Sequence, residues 1–284
     1  MTSQGLLCAD EPAPAYSAAG PDESPILVVC EHASARLPAT LKRAYPEGLM
    51  RTHYGCDIGA GALAAKVAER LSASLVLANY SRVVIDCNRR LNDPTLILQQ
   101  ANGELVRANC RLSAADRGAR VEGLYVPFHR TVSEQVTRIS AQGLVPIYIA
   151  IHSFTPRLDA GLRPWDVGIM WDTDDRIAVP LIRALRRDST LQVGDNEPYS
   201  GRVVQDFSVD FHAERNGYAC VAIEVRQDHL SDDAGIASWA DRLSAALLPI
   251  VKQTSLQNVQ SATPEAVSFA QELERFACVD PERS

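Results

Sequence analysis

The chain has 284 residues, enough for one large domain or two small ones with a sizeable core. Hydrophobic residues make up 46% and charged residues 22%, and the formal charge is −7. This balance excludes the basic face of a general nucleic-acid binder, and no run approaches the roughly 18 apolar residues of a membrane span. An acidic chain that handles an anionic substrate must gather its arginines locally, so arginine clusters are informative where lone arginines are not.

The first 24 residues, rich in Ala, Pro and Ser, lack the basic and long apolar regions of a signal peptide and read as a flexible arm. "GLLC" is faintly like a lipobox, but no basic residues precede it, so lipidation is not expected. Residues 25–254 then carry strand-length apolar runs: "ILVV" (26–29), "LVLA" (75–78), "RVVID" (82–86), "PIYIAI" (146–151), "VGIMW" (167–171) and "CVAIEV" (220–225). Several are continuous, as expected of strands covered on both faces. Helical patterns lie between them. "DIGAGALAAKVAERLSA" sets Leu63, Val67 and Leu71 on one stripe, "PFHRTVSEQVTRISAQG" ends in a glycine, and "TDDRIAVPLIRALRRD" opens acidic and closes basic. "GIASWADRLSAALLPIV" is a further amphipathic segment. Strands alternating with helices predict a single α/β domain with a mixed, mostly parallel sheet flanked by helices. Residues 101–123, basic and poor in apolar groups, read as an excursion or flap, and "GDNEPYSGRVV" (194–204) as a loop. The tail, 255–284, holds a possible last helix (264–277) that either packs peripherally or joins a homodimer contact.

Seven scattered cysteines, none in a CxxC, do not make a disulfide framework. A reducing cytoplasm is the simplest compartment. Cys30 beside His32 offers a cysteine nucleophile only on paper, because adjacent strand residues face opposite ways and Cys30 lies in an apolar run.

The strand ends carry the chemistry. "ILVVC" runs into Glu31 and His32, "PIYIAI" into His152, and "CVAIEV" carries Glu224. Carboxyl ends of parallel strands are where open α/β sheets place ligands. Asp57, at the start of the first helical pattern, is explained either as an N-cap or as a ligand. Two histidines and a carboxylate, with another carboxylate to spare, form the donor set of a catalytic zinc site, the spare acting as general base and acid. Each histidine has a plainer reading as a structural hydrogen-bonding group. Glu224 inside an apolar strand is hardest to dismiss, since a buried carboxylate needs a partner. In "YSRVVIDCNRRLNDP", Arg82 and Asp86 fall on one face of an extended strand. Arg82 and Arg89 are thus either a clamp for a dicarboxylate or partners in internal salt bridges. Arg163 and Arg226 add to the supply at the same edge. Asn88, Tyr199 and His212 are secondary candidates for orientation or oxyanion stabilisation. "GAGALA" (59–64) matches a dinucleotide fingerprint in spacing, but no apolar strand precedes it, and its glycines are better explained by close packing.

The blocks "VVCEHAS", "CDIGAG", "YSRVVIDCNR", "IHSFTP", "RPWDVGIMW", "GDNEPYSG" and "IEVRQD", in this order over roughly residues 26–250, resemble the N-formylglutamate amidohydrolase family. The resemblance implies a phosphorylase/hydrolase-like fold, distantly similar to zinc carboxypeptidases and cell-wall amidases. It also implies zinc-assisted hydrolysis of N-formyl-L-glutamate, or another N-acyl amino acid, to the free acid and amine. By that resemblance the metal falls to His32, Asp57 and His152, with Glu31 a competitor of Asp57, and the catalytic role falls to Glu224. "EHAS" departs from the "PHSG"-like form of the histidine-degradation branch, so the reaction class is better specified than the substrate. The divergent stretch Gly103–Gly123 could line the pocket. Competing readings are a deacylase for another N-acyl amino acid or peptidoglycan fragment, and a catalytically silent dicarboxylate-binding protein.

Overall fold

The continuous apolar runs do form strands with both faces covered. The computed structural model describes residues 5–158, 161–203 and 206–260. In chain order the elements are β1 (Ala15–Ala18), β2 (Ile26–Cys30), α1 (Glu47–Met50), α2 (Ala60–Leu71) and β3 (Ser74–Ala78). A small hairpin, β4 (Gln100–Ala101) and β5 (Glu104–Leu105), precedes α3 (Ala114–Arg120) and α4 (Val126–Ala141). Then come β6 (Ile147–Phe154), a second hairpin of β7 (Arg157–Leu158) and β8 (Gly161–Leu162), β9 (Val167–Met170) and α5 (Ala178–Leu185). The described chain ends with β10 (Val193–Asp195), α6 (Phe207–His212), β11 (Ala219–Arg226) and α7 (Asp233–Val251), followed by a short 3-10 turn.

Seven strands form one sheet in the order β1-β3-β2-β6-β11-β9-β10. The central four, β3, β2, β6 and β11, run parallel. Strands β1 and β9 are antiparallel to β3 and β11, and β10 is parallel to β9. Alternation splits each central strand between two cores. Val28, Ile149, Ile151 and Ile223 pack under α2, α5 and α7, whereas Leu27, Val29, Tyr148, Ala150 and Ala222 face α4, α6 and the segment 80–97. The fold is therefore the mixed, mostly parallel α/β sheet expected.

Two local expectations change, and one open alternative closes. The arm is tied down over Ala15–Ala18, which pairs with β3 as an edge strand. "RVVID" is not a strand but a series of turns, with Val84 N bonded to Ser81 O and Arg89 N to Asp86 O. Asp57 is not a helix cap: the cap of α2 is Gly59 at φ 77°, where a Cβ would lie 2.5 Å from that of Leu230. Gly61 likewise leaves room for Ala33 O, so the "GAGALA" glycines serve packing. The helix expected at 264–277 lies outside the described residues.

Candidate active site and metal centre

Three strand ends converge because their side chains share one parity. Leu27, Val29 and Glu31, then Tyr148, Ala150 and His152, then Cys220, Ala222 and Glu224 all project from the same face of the sheet. The register sets Glu224 of β11 directly beside His152 of β6. His32 and Asp57 come from the turns after β2 and before α2, tied by a bond from Asp57 N to His32 O at 3.0 Å.

Asp57 Oδ2 is the meeting point. It lies 3.2 Å from His32 Nδ1 and 2.9 Å from His152 Nδ1. One donor atom from each of His32, Asp57 and His152 falls within 4.8 Å of the others, and all three side chains are buried. Each imidazole turns its other nitrogen to a second carboxylate: His32 Nε2 to Asp86 Oδ1 at 2.7 Å, and His152 Nε2 to Glu31 Oε2 at 3.2 Å. Metal-ligating histidines characteristically have such an outer carboxylate. Glu31 thus stands behind His152 and not beside Asp57 in the donor set.

The charges fit a divalent cation. Three buried carboxylates, Glu31, Asp57 and Asp86, surround the imidazoles, and Arg82 pairs with two of them, its Nη1 reaching Asp57 and its Nε and Nη2 reaching Asp86. Two negative charges remain, and in the ion-free protein the imidazoles answer them. Burial and Arg82 pull His32 down, but Asp86 and Asp57 outweigh them and raise its pKa. Burial also pulls His152 down, and its bond to Asp57 and the close Glu31 carboxylate raise it well above the usual value. Asp57 is held far below the carboxylate range, its burial outweighed by His32 and His152. Two neutral imidazoles and one dication balance the same charge, so the residues present fit a bound Zn²⁺.

A cavity of about 440 Å³ opens over this cluster, within the usual range for small-molecule sites. Glu224 lines it, with Oε2 buried and, among the described residues, unpartnered. Burial, reinforced by the charges of Asp57 and Asp206, pushes its pKa up to about 7 against the opposing pull of His152. Asn88, Arg89, Arg82 and Tyr199 also line the cavity.

Other expected residues sit elsewhere. Arg163 stands behind Tyr199, bonded to its hydroxyl at 3.0 Å and stacked 4.8 Å from its ring. Arg226 is spent on Asp228, Asp166 and two backbone carbonyls. His212 is not in the site: it is buried in α6, 2.9 Å from His129 Nδ1, and burial drops its pKa to about 3. Cys30 is fully buried, its thiol pushed well up by burial and the Asp57 charge, which removes the cysteine nucleophile.

Residues 101–123 supply none of the cavity lining; they buttress it. The turns at 81–91 carry the site without a ladder to satisfy their carbonyls. Asn109 Nδ2 donates to Val83 O, Arg120 Nη1 to Val84 O, Arg117 Nη2 to Leu91 O, and Tyr125 OH to Arg89 O. The basic character of this stretch answers backbone oxygens. Asp206 and His53, neither among the residues singled out from the sequence as site candidates, also line the cavity. Asp206 Oδ1 is buried without a hydrogen-bond partner among the described residues, and no spacing signal marks it. His53 lies only four residues before Asp57, which was a usable hint.

The family model for N-formylglutamate amidohydrolase matches residues 24–231. The N-formylglutamate deformylase of Pseudomonas aeruginosa is 33% identical over 110 residues, a stretch covering 34% of this chain and 41%, less than half, of that relative. A gene product of Agrobacterium tumefaciens of known crystal structure superposes with a TM-score of 0.82 at 29% identity, covering 89% of this chain and 100% of the other. The N-formylglutamate amidohydrolase of Ralstonia eutropha superposes with a TM-score of 0.64 at 20% identity, over 84% of this chain and 97% of its own, a likeness of fold. Matched over most of its length, with its strand-end histidines and carboxylates gathered at one cavity, this chain belongs to the N-formylglutamate amidohydrolase family.

Proposed function

We propose that the protein hydrolyses the amide of an N-acylated acidic amino acid, foremost N-formyl-L-glutamate to formate and L-glutamate, with Zn²⁺ held by His32, Asp57 and His152. The observation that carries this reading is the convergence of these three donors beneath a cavity that Glu224 also lines, its Oε2 buried without a hydrogen-bond partner among the described residues. Zinc, when bound, supplies a Lewis acid for the scissile carbonyl and eases the deprotonation of water. Glu224 takes a proton from the attacking water at Oε2 and returns it to the leaving amine nitrogen. Burial, which holds its carboxyl above the usual carboxylate range, favours both tasks. Arg89 and Asn88, adjacent on the cavity wall, orient a substrate carboxylate. Arg82, already engaged by Asp57 and Asp86, holds the histidine cluster in place and lends its remaining charge to the wall. Tyr199, held by Arg163, lines the same cavity.

A second reading, another N-acyl amino acid, is favoured by the cavity's apolar wall of Phe154, Met170, Pro198 and Val203, which offers a surface to a larger acyl or side chain. The six described cysteines are all unpaired, which supports the cytoplasmic placement as part of this proposal. Among the described residues no helix is long and apolar enough to cross a membrane. The test is release of carboxylic acid and amine from a panel of N-formyl and N-acetyl amino acids, with and without added zinc. Fastest turnover of N-formyl-L-glutamate, lost on chelation and restored by zinc, is expected. Binding of dicarboxylates without turnover or stoichiometric zinc would replace the enzyme with a sensor.

A further inference from the structure

We infer that Tyr148 and Ser208 are positioning residues for His152, acting through Glu31; the inference rests on the reading of His152 as a zinc ligand. The two imidazoles are supported differently. His32 leans on Asp86, a carboxylate whose charge is met by the Arg82 guanidinium. His152 leans on Glu31, whose side chain is wholly inaccessible and whose ion pairs, among the described residues, are limited to His152 itself. A buried carboxylate without a cation is costly, and hydroxyl donors must take the place of one.

Those donors form a chain. Tyr148 OH donates to Glu31 Oε1 at 3.3 Å and lies 2.8 Å from Ser208 Oγ. Ser208 N in turn donates to Asn88 Oδ1 at 3.0 Å, so the chain begins at the cavity wall. Glu31 Oε2 and His152 Nε2 stand 3.2 Å apart, too oblique for a full hydrogen bond, and among the described residues neither has another hydrogen-bond partner. Fixing Oε1 therefore fixes which way Oε2 points, and with it the angle of the His152 ring. Tyr148 cannot swing away easily, because its ring stacks on His212 at 6.4 Å and 8°. The buried pair of His129 and His212, unused in the chemistry, thereby gains a role as the floor beneath Tyr148.

The experiment titrates zinc into the metal-stripped full-length chain by competition with a chromophoric chelator, for wild type, Tyr148→Phe and Ser208→Ala. Thermal unfolding of the metal-free proteins and KM and kcat at saturating zinc accompany it. Tyr148→Phe should raise the zinc Kd by about 10-fold, the low end of the range for losing a partner of a metal ligand, because Tyr148 acts one contact further out, with KM little changed. Ser208→Ala should shift the Kd the same way by less. An unchanged zinc Kd in folded Tyr148→Phe, or an effect confined to the melting of the metal-free protein, overturns the inference. Should Tyr148→Phe not fold, Ser208→Ala decides it by the same criterion. A wild type that takes up no stoichiometric zinc overturns the zinc reading itself and this inference with it, whereas a zinc-binding wild type with indifferent variants overturns this inference alone.

Discussion

Glu224 and Arg82 carry the sharpest expectations for single residues. Among the described residues Glu224 has no hydrogen-bond partner at Oε2, and its pKa is about 7, so its amide analogue keeps the shape and loses the proton transfer. Glu224→Gln should bind zinc normally and lose about 10²- to 10⁴-fold in kcat, measured by formate release. Near-normal turnover with zinc bound would remove Glu224 from the mechanism. Arg82 and Arg89 are separated by what already holds them. Arg82 makes ion pairs with two buried carboxylates, Asp57 and Asp86. Arg82→Met should therefore destabilise the fold by about 3 kcal/mol, as when one partner of a buried pair is removed, and lower the urea midpoint. Arg89 lines the cavity and bonds Thr95 and a backbone carbonyl. Arg89→Met should instead raise KM by about 10- to 100-fold, the worth of a charged hydrogen bond, with the urea midpoint little changed. Equal effects on stability from both variants would contradict this division.

At the scale of elements, the segment 81–91 shows how irregular backbone is held in place. It carries Arg82, Asp86, Asn88 and Arg89, and a strand could not have turned all four toward one cluster, because alternate strand residues face opposite ways. The cost is a set of carbonyls outside any ladder, which Asn109, Arg117, Arg120 and Tyr125 satisfy from behind. Arg120, itself buried, also donates to Asn109 Oδ1 and Ala108 O. Arg120→Ala strands several buried acceptors at about 1–3 kcal/mol each. It should cost stability and also kcat, although Arg120 lines none of the cavity. Full activity in a folded Arg120→Ala protein would show that the segment holds itself. The start of α2 depends on Gly59, whose positive φ and contact with Leu230 leave no space for a side chain.

Over the whole molecule, stability should depend on pH through the paired histidines beneath the site. Burial, reinforced for His129 by the charge of its neighbour, drops both: His129 well below its usual value and His212 to about 3. In the unfolded chain each protonates near pH 6.5. From there down to about pH 3 the unfolded state binds a proton at position 212 that the folded state refuses, so stability falls as pH falls, by up to about 1.4 kcal/mol per unit for this histidine. His212→Gln cannot titrate, so in urea unfolding the stability of the wild type relative to it should decline from pH 6.5 to 4. A constant difference would mean that His212 protonates freely in the fold. The sequence by itself determined the sheet, its two-faced strands, the amphipathic helices and the donor types at the strand ends, because apolar periodicity and strand-end position are local properties. His32, His152 and Glu224 were legible for that reason. Tertiary structure alone decided that Asp57 faces the imidazoles instead of capping α2 and that Glu31 stands behind His152. It also decided that Arg226 and His212 are occupied elsewhere and that residues 107–125 serve as a buttress. Each of those outcomes depends on which buried charge or carbonyl finds a partner far along the chain, and no local pattern encodes such a pairing.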